Sequence, residues 1–207
     1  MTSKDWFRNE TWDDQIESAF FAKLKRARDK AQYLVIQSYH LLPRHPTVVL
    51  RLLDEYFALS DHFHRSLAFV NQADAYLELN NINAAVTSYE NALEAEANHR
   101  SLLTTAYIDL PFLVASRNVE SAYERCLAVL EQSRERPKFP IEHFKWHASM
   151  ALILNAQGKS AAAKSAACAA VSWATARDSG FRYHRNLGLV GDNYNTLNEQ
   201  LVALCNA

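Results

Sequence analysis

Turn-forming residues are scarce in this sequence. Its 207 residues include four glycines and five prolines, which leaves little of the turn chemistry that a β-sheet needs. Alanine, leucine, glutamate and lysine, which favour helices, are abundant instead. Hydrophobic residues make up 49% of the chain, enough to bury a substantial core in one domain or one continuous array. We therefore expect an all-α protein.

Cysteine is scarce as well. Cys126, Cys168 and Cys205 are odd in number and form no C-x-x-C pair. This pattern argues against a zinc ribbon and against the disulfide framework of a small secreted domain. We expect all three cysteines to be reduced thiols in the core.

Neither an excess of one charge nor a long apolar run is present. The 22 basic and 23 acidic residues give a formal charge of −1, so no global field draws the protein to nucleic acid or to an anionic membrane. No window reaches the ~18 apolar residues that a membrane span requires, and the first residues lack the pattern of a signal peptide. These absences predict a cytoplasmic protein with no nucleic acid and no membrane as partner.

What the sequence does contain is a repeat over residues 66–99, close to the ~34-residue length of a helix–turn–helix repeat. Small residues such as Ala73 and Ala85 allow two antiparallel helices to approach closely, and Tyr76 fills the space beside them. The characteristic positions of the repeat hold Phe69, Ala73, Tyr76, Ala85, Tyr89, Ala92 and Leu93. This pattern indicates protein binding rather than catalysis.

The same spacing recurs along the chain. Pairs with the separation of Tyr76 and Ala85 are Tyr39 with Val48, Leu113 with Ala122, and Leu154 with Ala163. Turns are predicted between the two helices of each pair, at residues 42–46, 80–83, 116–118 and 157–160. We therefore predict four helix pairs at steps of about 37 to 41 residues, longer than those of a regular array. The units begin near Asp29, Ser66, Leu103 and Phe144.

The segments on either side of this array are predicted to cover its ends. Residues 1–28 are expected to form an N-terminal capping segment and helix. Residues 29–178 form the repeat array, and residues 179–207 form a C-terminal loop and capping helix. The chain is therefore predicted to consist of one array with two caps.

Single residues predict where helices begin and bend. Thr11 is expected to cap the first helix and Asp192 the last one, because short polar side chains accept hydrogen bonds from free helix amides. Pro111 is expected to kink or interrupt the first helix of the third unit. The last helix carries an apolar stripe of Tyr194, Leu197, Leu201 and Leu204, which is suited to covering the array.

With these features the chain resembles a bacterial-type tetratricopeptide repeat protein with degenerate repeats, over residues 29–177. The resemblance implies an α-α superhelix of antiparallel helix pairs, about nine or ten helices in all, whose concave groove binds a peptide or a partner helix. It implies no catalysis and no cofactor. The groove positions of the family fall on Lys30, Tyr33, Gln37, His40, Val70, Asp74, Leu77 and Tyr107.

Val70 and Asp74 bear on which kind of partner protein the groove is expected to bind. Family members that clamp the terminal carboxylate of a chaperone peptide have lysine and asparagine at these places, so we do not expect that clamp. An aromatic and aliphatic groove with scattered polar groups suits an amphipathic helix or an extended hydrophobic peptide. We therefore predict an adaptor or scaffold that binds another protein. Three alternatives stay open: the groove faces another part of the same chain, the protein is an immunity-type inhibitor of one enzyme or toxin, or it forms a homo-oligomer.

Two pairs of closely spaced histidines are candidates for metal binding or for pH-dependent behaviour. His143 and His147 lie four apart on a predicted helix, which would suit zinc or nickel and gives a further alternative, a metal-dependent enzyme. The intervening residues lack the glutamate of an H-E-x-x-H motif, and no third ligand is evident. His62 and His64 fall in a predicted loop. We expect packing or surface positions for both pairs and no enzymatic activity.

The beginning of the chain combines aromatic and basic residues. Trp6, Phe7 and Trp12 precede the first helix, where they either fold back as an N-terminal cap or contact another chain. We favour the cap. A basic run follows, and a solvated helix face explains it at least as well as phosphate binding does. This run consists of Lys23, Lys25, Arg26, Arg28 and Lys30.

Overall fold

The computed structural model describes residues 5–98 and 102–207 and is built from helices throughout those ranges, without a strand. This confirms the all-α prediction. Residues 1–4 of the predicted N-terminal segment and His99, the end of the predicted second unit, lie outside the described residues. The α-helices are α1 (Asp14–Leu24), α2 (Lys30–Leu41), α3 (Pro46–Phe57), α4 (Arg65–Glu78), α5 (Ile82–Asn98), α6 (Ala106–Ser116), α7 (Tyr123–Gln132), α8 (Pro140–Ala156), α9 (Ser160–Ala174) and α10 (Asn195–Asn206). Short 3₁₀ helices over Glu120–Ala122 and Asp192–Tyr194 precede α7 and α10.

The chain divides into two compact units, Met1–Ala106 and Tyr107–Ala207. In the first unit, α2 packs on α3, α4 packs on α5, and α3 packs on α4. In the second unit, α8 packs on α9, and α9 packs on α10. Consecutive helices therefore form packed hairpins within each unit.

Three of the helix hairpins share one turn geometry. Asn80, Asn118 and Gly158 have positive φ angles of 54°, 53° and 72°, the left-handed conformation that ends many helices. In each turn the next residue donates its backbone N–H to a carbonyl five residues back, as Asn81 does to Tyr76 at 2.8 Å. The matching bonds run from Val119 to Val114 and from Lys159 to Leu154. The predicted turns are therefore confirmed, with a local repeat in their hydrogen bonds.

The third hairpin differs from the prediction by one residue. Its turn makes Val114, and not Leu113, the equivalent of Tyr76, because the equivalent bond ends at the Val114 carbonyl. The 3₁₀ turn over Glu120–Ala122 follows directly and changes the phase of the second helix.

Pro111 does not interrupt its helix. Helix α6 continues from Ala106 to Ser116 through this residue, so the predicted interruption is wrong. The proline cannot donate a hydrogen bond to the Tyr107 carbonyl, but it is buried among apolar neighbours. Burial of this apolar helix offsets the missing bond.

Both predicted caps are wrong. Helix α1 begins at Asp14, and the Asp13 carboxylate accepts a hydrogen bond from the Ile16 N–H at 2.7 Å. A carboxylate is favoured over the Thr11 hydroxyl at the positive end of a helix. Helix α10 follows the 3₁₀ turn that Asp192 opens, and its N-cap, Tyr194, makes no side-chain capping bond.

The N-terminal aromatic residues fold back onto the first unit. Trp6, Phe7 and Trp12 pack against the core that α1 to α4 form. The Trp6 ring centre lies 5.4 Å from that of Phe20 and 5.0 Å from that of Tyr33. The prediction that these aromatic residues fold back onto the first helices is confirmed.

The core of the second unit is built around small residues of α9. Ala163, Ala167 and Ala170 are fully buried, which lets α8 and α10 approach α9 closely. The predicted stripe of α10 packs here, with Leu201 fully buried and Tyr194, Leu197 and Leu204 partly buried. The predicted amphipathic helix is confirmed.

Two of the three cysteines are not free thiols. Cys168 on α9 and Cys205 on α10 form a disulfide across a Cα–Cα distance of 4.9 Å. Cys126 is buried and lies outside this bond. The prediction of three reduced thiols is therefore wrong, because helix packing brings together two cysteines that lie 37 residues apart in the sequence.

Candidate partner-binding pocket

A pocket of about 500 Å³ opens at the end of α2 in the first unit. We call it the α2–α4 pocket. Its apolar surface comes from the last turn of α2, the turn that follows, and α4. It is lined by Glu10, Tyr39, His40, Leu42, Pro43, Arg44, Asp74, Leu77 and Glu78.

The sequence places these groups together through two short-range patterns. Asp74, Leu77 and Glu78 are three and four residues apart on α4, so they share one face of the helix. Pro43 and Pro46 follow α2 and keep it from continuing, so the chain turns at the rim of the pocket. The pocket therefore combines one helix face, one helix end and one turn.

A buried polar contact fixes α4 against α2 below the pocket. The Asn71 amide donates to the Val35 carbonyl at 3.0 Å and to the Ser38 hydroxyl at 2.9 Å. Both side chains are buried, and buried polar groups are strongly directional when they are hydrogen-bonded. The two helices thus have a fixed register, and the pocket above them is preformed.

Asp74 is held from the other side of its helix. The Tyr89 hydroxyl on α5 donates to Asp74 Oδ1 at 2.5 Å. This bond orients the carboxylate and uses one of its oxygens. Asp74 therefore presents a carboxyl group of fixed orientation to the pocket.

The lining of the pocket combines charged and apolar side chains. Glu10 and Glu78 are exposed carboxylates, whereas Arg44 is an exposed guanidinium. Tyr39 has 62% of its surface exposed, unusual for a large aromatic residue at the end of a core helix. A side chain with apolar and polar parts, flanked by charges, fits such a surface.

Three of the predicted groove residues come together here: His40, Asp74 and Leu77. Two others, Tyr33 and Gln37, lie beneath the N-terminal segment. The Tyr33 ring contacts the rings of Trp6 and Phe7. The ring centres of Tyr33 and Phe7 lie 4.6 Å apart. Gln37 has no exposed surface, so it does not face a partner in this structure.

The remaining groove candidates lie elsewhere. Val70 is buried in the first unit. Lys30 is exposed at the start of α2 and borders a separate shallow cavity. Tyr107 belongs to the second unit, where the Arg136 guanidinium lies 4.0 Å above the centre of its buried ring. The predicted set is therefore not one continuous surface.

Sequence reasoning missed Tyr39, Arg44 and Glu10 as pocket residues. Tyr39 was assigned a packing position because its spacing to Val48 matches that of Tyr76 to Ala85. Because this spacing matches the repeat, the sequence did not indicate that the Tyr39 side chain is exposed. The polar turn that ends α2 at Pro43 and Arg44 is the signal that could have located an uncovered helix end.

His143 and His147 occupy packing positions. The His143 ring stacks on Trp173 at 4.1 Å between ring centres, and the His147 ring contacts that of Trp146 edge-on. Burial lowers the pKa of both imidazoles, which favours their neutral forms. Across the described ranges, no group of three or more His, Cys, Asp or Glu residues is placed to hold a metal ion.

His64 takes part in a polar network that the sequence did not indicate. In the loop before α4, Asp61 Oδ2 accepts from the Tyr56 hydroxyl at 2.8 Å and from the His64 N–H at 3.0 Å. The His64 ring nitrogen Nδ1 lies 3.3 Å from the same oxygen. The predicted loop position of His64 is confirmed, and the network ties the loop to buried Tyr56.

The predicted basic run lies on the surface of the first unit. Lys23, Lys25, Arg26, Arg28 and Lys30 are all exposed. Within the described ranges, every helix is too short or too polar to span a bilayer. Both findings agree with the sequence patterns.

Comparisons with protein family models, curated proteins and solved structures found no match to this chain. The tetratricopeptide resemblance therefore stays a prediction, and any function must be argued from the chain's own geometry.

Proposed function

We propose that this protein is a non-catalytic cytoplasmic adaptor, of the tetratricopeptide type, that binds a segment of a partner protein in the α2–α4 pocket. The observation that carries the proposal is the exposed Tyr39 ring above a preformed pocket of about 500 Å³. Tyrosine and arginine are enriched among the residues that dominate protein interfaces. Here Tyr39 and Arg44 border the same pocket.

The N-terminal cap limits where the partner binds. Because Trp6 and Phe7 cover Tyr33, and Asn9 covers Gln37, the first part of α2 is filled by the chain itself. Binding is therefore confined to the last turn of α2 and the adjacent face of α4. A pocket of this size holds a few side chains of a peptide or one turn of a helix.

The test is partner capture by affinity purification, with Tyr39→Ala and Glu78→Lys as separate variants. Both residues border the pocket and are exposed, so their replacement leaves the fold intact. Phe63→Ala is the matched control, because Phe63 is 54% exposed but lies outside the pocket. The proposal predicts that one protein is captured by wild type and by the control, and is lost from both pocket variants. Equal capture by all four proteins would exclude the pocket.

Asp74 and Tyr107 are less suitable positions for this test. Asp74 accepts a hydrogen bond from Tyr89, and Tyr107 is buried. Replacing either one would disturb internal packing as well as any bound partner. Substitutions at Tyr39 and Glu78 test partner binding without disturbing internal packing.

A further inference from the structure

Helix α10 is held on its unit by its packing on α9 and by one covalent bond. Among its residues Asn195–Asn206, Leu201 is the buried one, while Leu197 and Leu204 are partly exposed. Its N-cap residue makes no side-chain hydrogen bond to the helix. A short helix with this little burial is marginal without further restraint.

The covalent bond is the Cys168–Cys205 disulfide. Cys168 lies in the middle of α9, and Cys205 lies in the last turn of α10. Both residues are partly exposed, so a small thiol reaches them from solvent. The third cysteine, Cys126, is fully buried and is chemically separate from the pair.

We propose that this disulfide is a thiol–disulfide switch that controls the docking of α10 on α9. With the bond intact, α10 covers the α8–α9 surface. With the bond reduced, α10 separates from α9 while the rest of the unit stays folded. The bond thus decides whether this surface is covered or open.

The chemical step is exchange with a dithiol reductant. A thiolate of the dithiol attacks one sulfur of the Cys168–Cys205 bond, forms a mixed disulfide and releases the other sulfur as a thiolate. The second thiol of the reductant then closes its own disulfide and releases the remaining cysteine. Two electrons and two protons pass from the dithiol to Cys168 and Cys205.

The released segment has a defined boundary. The Tyr194 ring contacts Phe112 and Phe144, with ring centres 5.9 Å and 5.5 Å apart, so the chain stays attached up to this residue. Beyond it, Leu201 is the residue of α10 in the buried core cluster. We therefore place the hinge directly after Tyr194.

The rest of the second unit does not depend on α10. The Trp146 indole N–H donates to the Leu130 carbonyl at 3.0 Å, and the Lys145 ammonium donates to Asp109 at 2.9 Å. These contacts join α8 to α7 and to α6. Release of α10 uncovers an apolar surface of α8 and α9, whose buried members are Phe144, Ala148, Ala151, Ala167 and Ala170.

The switch also agrees with the proposed cytoplasmic location. Reducing compartments keep cysteines as thiols, and their disulfides are commonly transient. In such a compartment α10 is released at rest, and it docks when an oxidised dithiol accepts two electrons and two protons from Cys168 and Cys205. This step rests on the proposed location, but the effect of reduction on α10 does not.

The experiment is hydrogen exchange with mass spectrometry on the full chain, before and after dithiothreitol treatment. We expect amide exchange in residues 195–206 to accelerate by about tenfold or more on reduction, as local opening does, with exchange in α4, α5 and α8 unchanged. Iodoacetamide should then label Cys168 and Cys205 but leave buried Cys126 unlabelled. The variant Cys168→Ser with Cys205→Ser should exchange rapidly with or without dithiothreitol, and Cys126→Ser should respond as wild type does.

Three results would overturn the proposal. Unchanged protection of residues 195–206 after reduction would make the bond a plain structural crosslink. Labelling of Cys126 together with the pair would indicate global unfolding instead of local release. Two labelled cysteines in the protein before reduction would show that the bond does not form. None of these outcomes bears on the α2–α4 pocket, so the proposed function is tested separately.

Discussion

The side-chain amide of Gln37 is bonded to the backbone of Asn9 in both directions. Gln37 Nε2 donates to the Asn9 carbonyl at 2.8 Å, and Gln37 Oε1 accepts from the Asn9 N–H at 3.0 Å. The Asn9 side chain donates to the same oxygen at 2.7 Å and to the Trp6 carbonyl at 2.8 Å. One buried side chain of α2 thus holds the N-terminal segment in place.

Replacing Gln37 should therefore loosen this segment. In Gln37→Ala the Asn9 N–H and carbonyl lose their partners in a buried position, and each unmet group costs about 1 to 3 kcal/mol. We expect the free energy of unfolding, measured by urea denaturation, to fall by about 2 to 3 kcal/mol. Gln32→Ala is the control, because Gln32 is exposed on the same helix, and its change should stay within about 0.5 kcal/mol. Equal values for the two variants would contradict the assignment.

Trp6 should contribute to stability through its aromatic neighbours. Its ring contacts Phe7, Phe20 and Tyr33, but it is only partly buried. We expect Trp6→Ala to lower the free energy of unfolding by about 2 kcal/mol, less than the loss for a fully buried tryptophan. Trp6→Phe should retain most of the stability. If Trp6→Ala and wild type have the same midpoint of urea denaturation, the N-terminal cap does not stabilise the first unit.

Gly188 and Gly158 should respond differently to the same substitution. Both have positive φ angles, 69° and 72°, so alanine is strained by about 1 kcal/mol at either position. A Cβ at Gly188 would also lie 2.6 Å from Phe139 Cβ, whereas one at Gly158 meets nothing within 4 Å. Because Phe139 Cβ is fixed to its backbone, Gly188→Ala should be the more destabilising variant by at least about 1 kcal/mol. Thermal or urea unfolding of the pair measures the difference, and equal losses would exclude the close approach.

The Asp61 network should make stability depend on pH. Burial alone would raise the Asp61 pKa, but hydrogen bonds from the His64 N–H and the Tyr56 hydroxyl outweigh it, so the pKa lies below its usual value. A lowered carboxyl pKa adds stability above the unfolded-state pKa of about 4, and this contribution is lost as pH falls through the folded-state pKa. We expect the contribution of this residue to the free energy of unfolding to decrease as the pH falls below about 5.

The control for this pH effect is Asp61→Asn, measured by urea unfolding across the same range. This variant should be less stable at neutral pH. Its free energy of unfolding should also decrease less as the pH is lowered, because it has no carboxyl group at this position to protonate. Tyr56→Phe should also flatten the curve by removing one donor to Asp61. If Asp61→Asn and wild type lose the same free energy of unfolding on acidification, Asp61 does not contribute to the pH dependence of stability.

The sequence was sufficient for features that depend on neighbours along the chain. Helix content, the turns near Asn80, Asn118 and Gly158, and the apolar stripe ending at Leu204 all follow from short spacings. The N-terminal cap was also predicted, since Trp6 and its aromatic neighbours need burial. Such signals are local, and the structure confirms them.

Features that depend on distant residues were not predictable in this way. The Asn9–Gln37 contact joins residues 28 apart, and the Cys168–Cys205 bond joins residues 37 apart. Spacing within one helix cannot show which other segment will pack on it. For the same reason the sequence predicts Gln37 in a groove that the N-terminal segment covers, and it matches exposed Tyr39 to the packing position of Tyr76.

Site-specific photocrosslinking in cells measures whether the α2–α4 pocket contacts a partner protein. A photoreactive phenylalanine replaces Tyr39 in one protein and Phe63 in another, since both side chains are aromatic and exposed. We expect one partner protein to crosslink at position 39 and not at position 63. Adding Glu78→Lys to the chain that carries the photoreactive residue at position 39 should abolish this crosslinked complex. Absence of a specific product at position 39, or the same products from both positions, would contradict partner binding in the α2–α4 pocket.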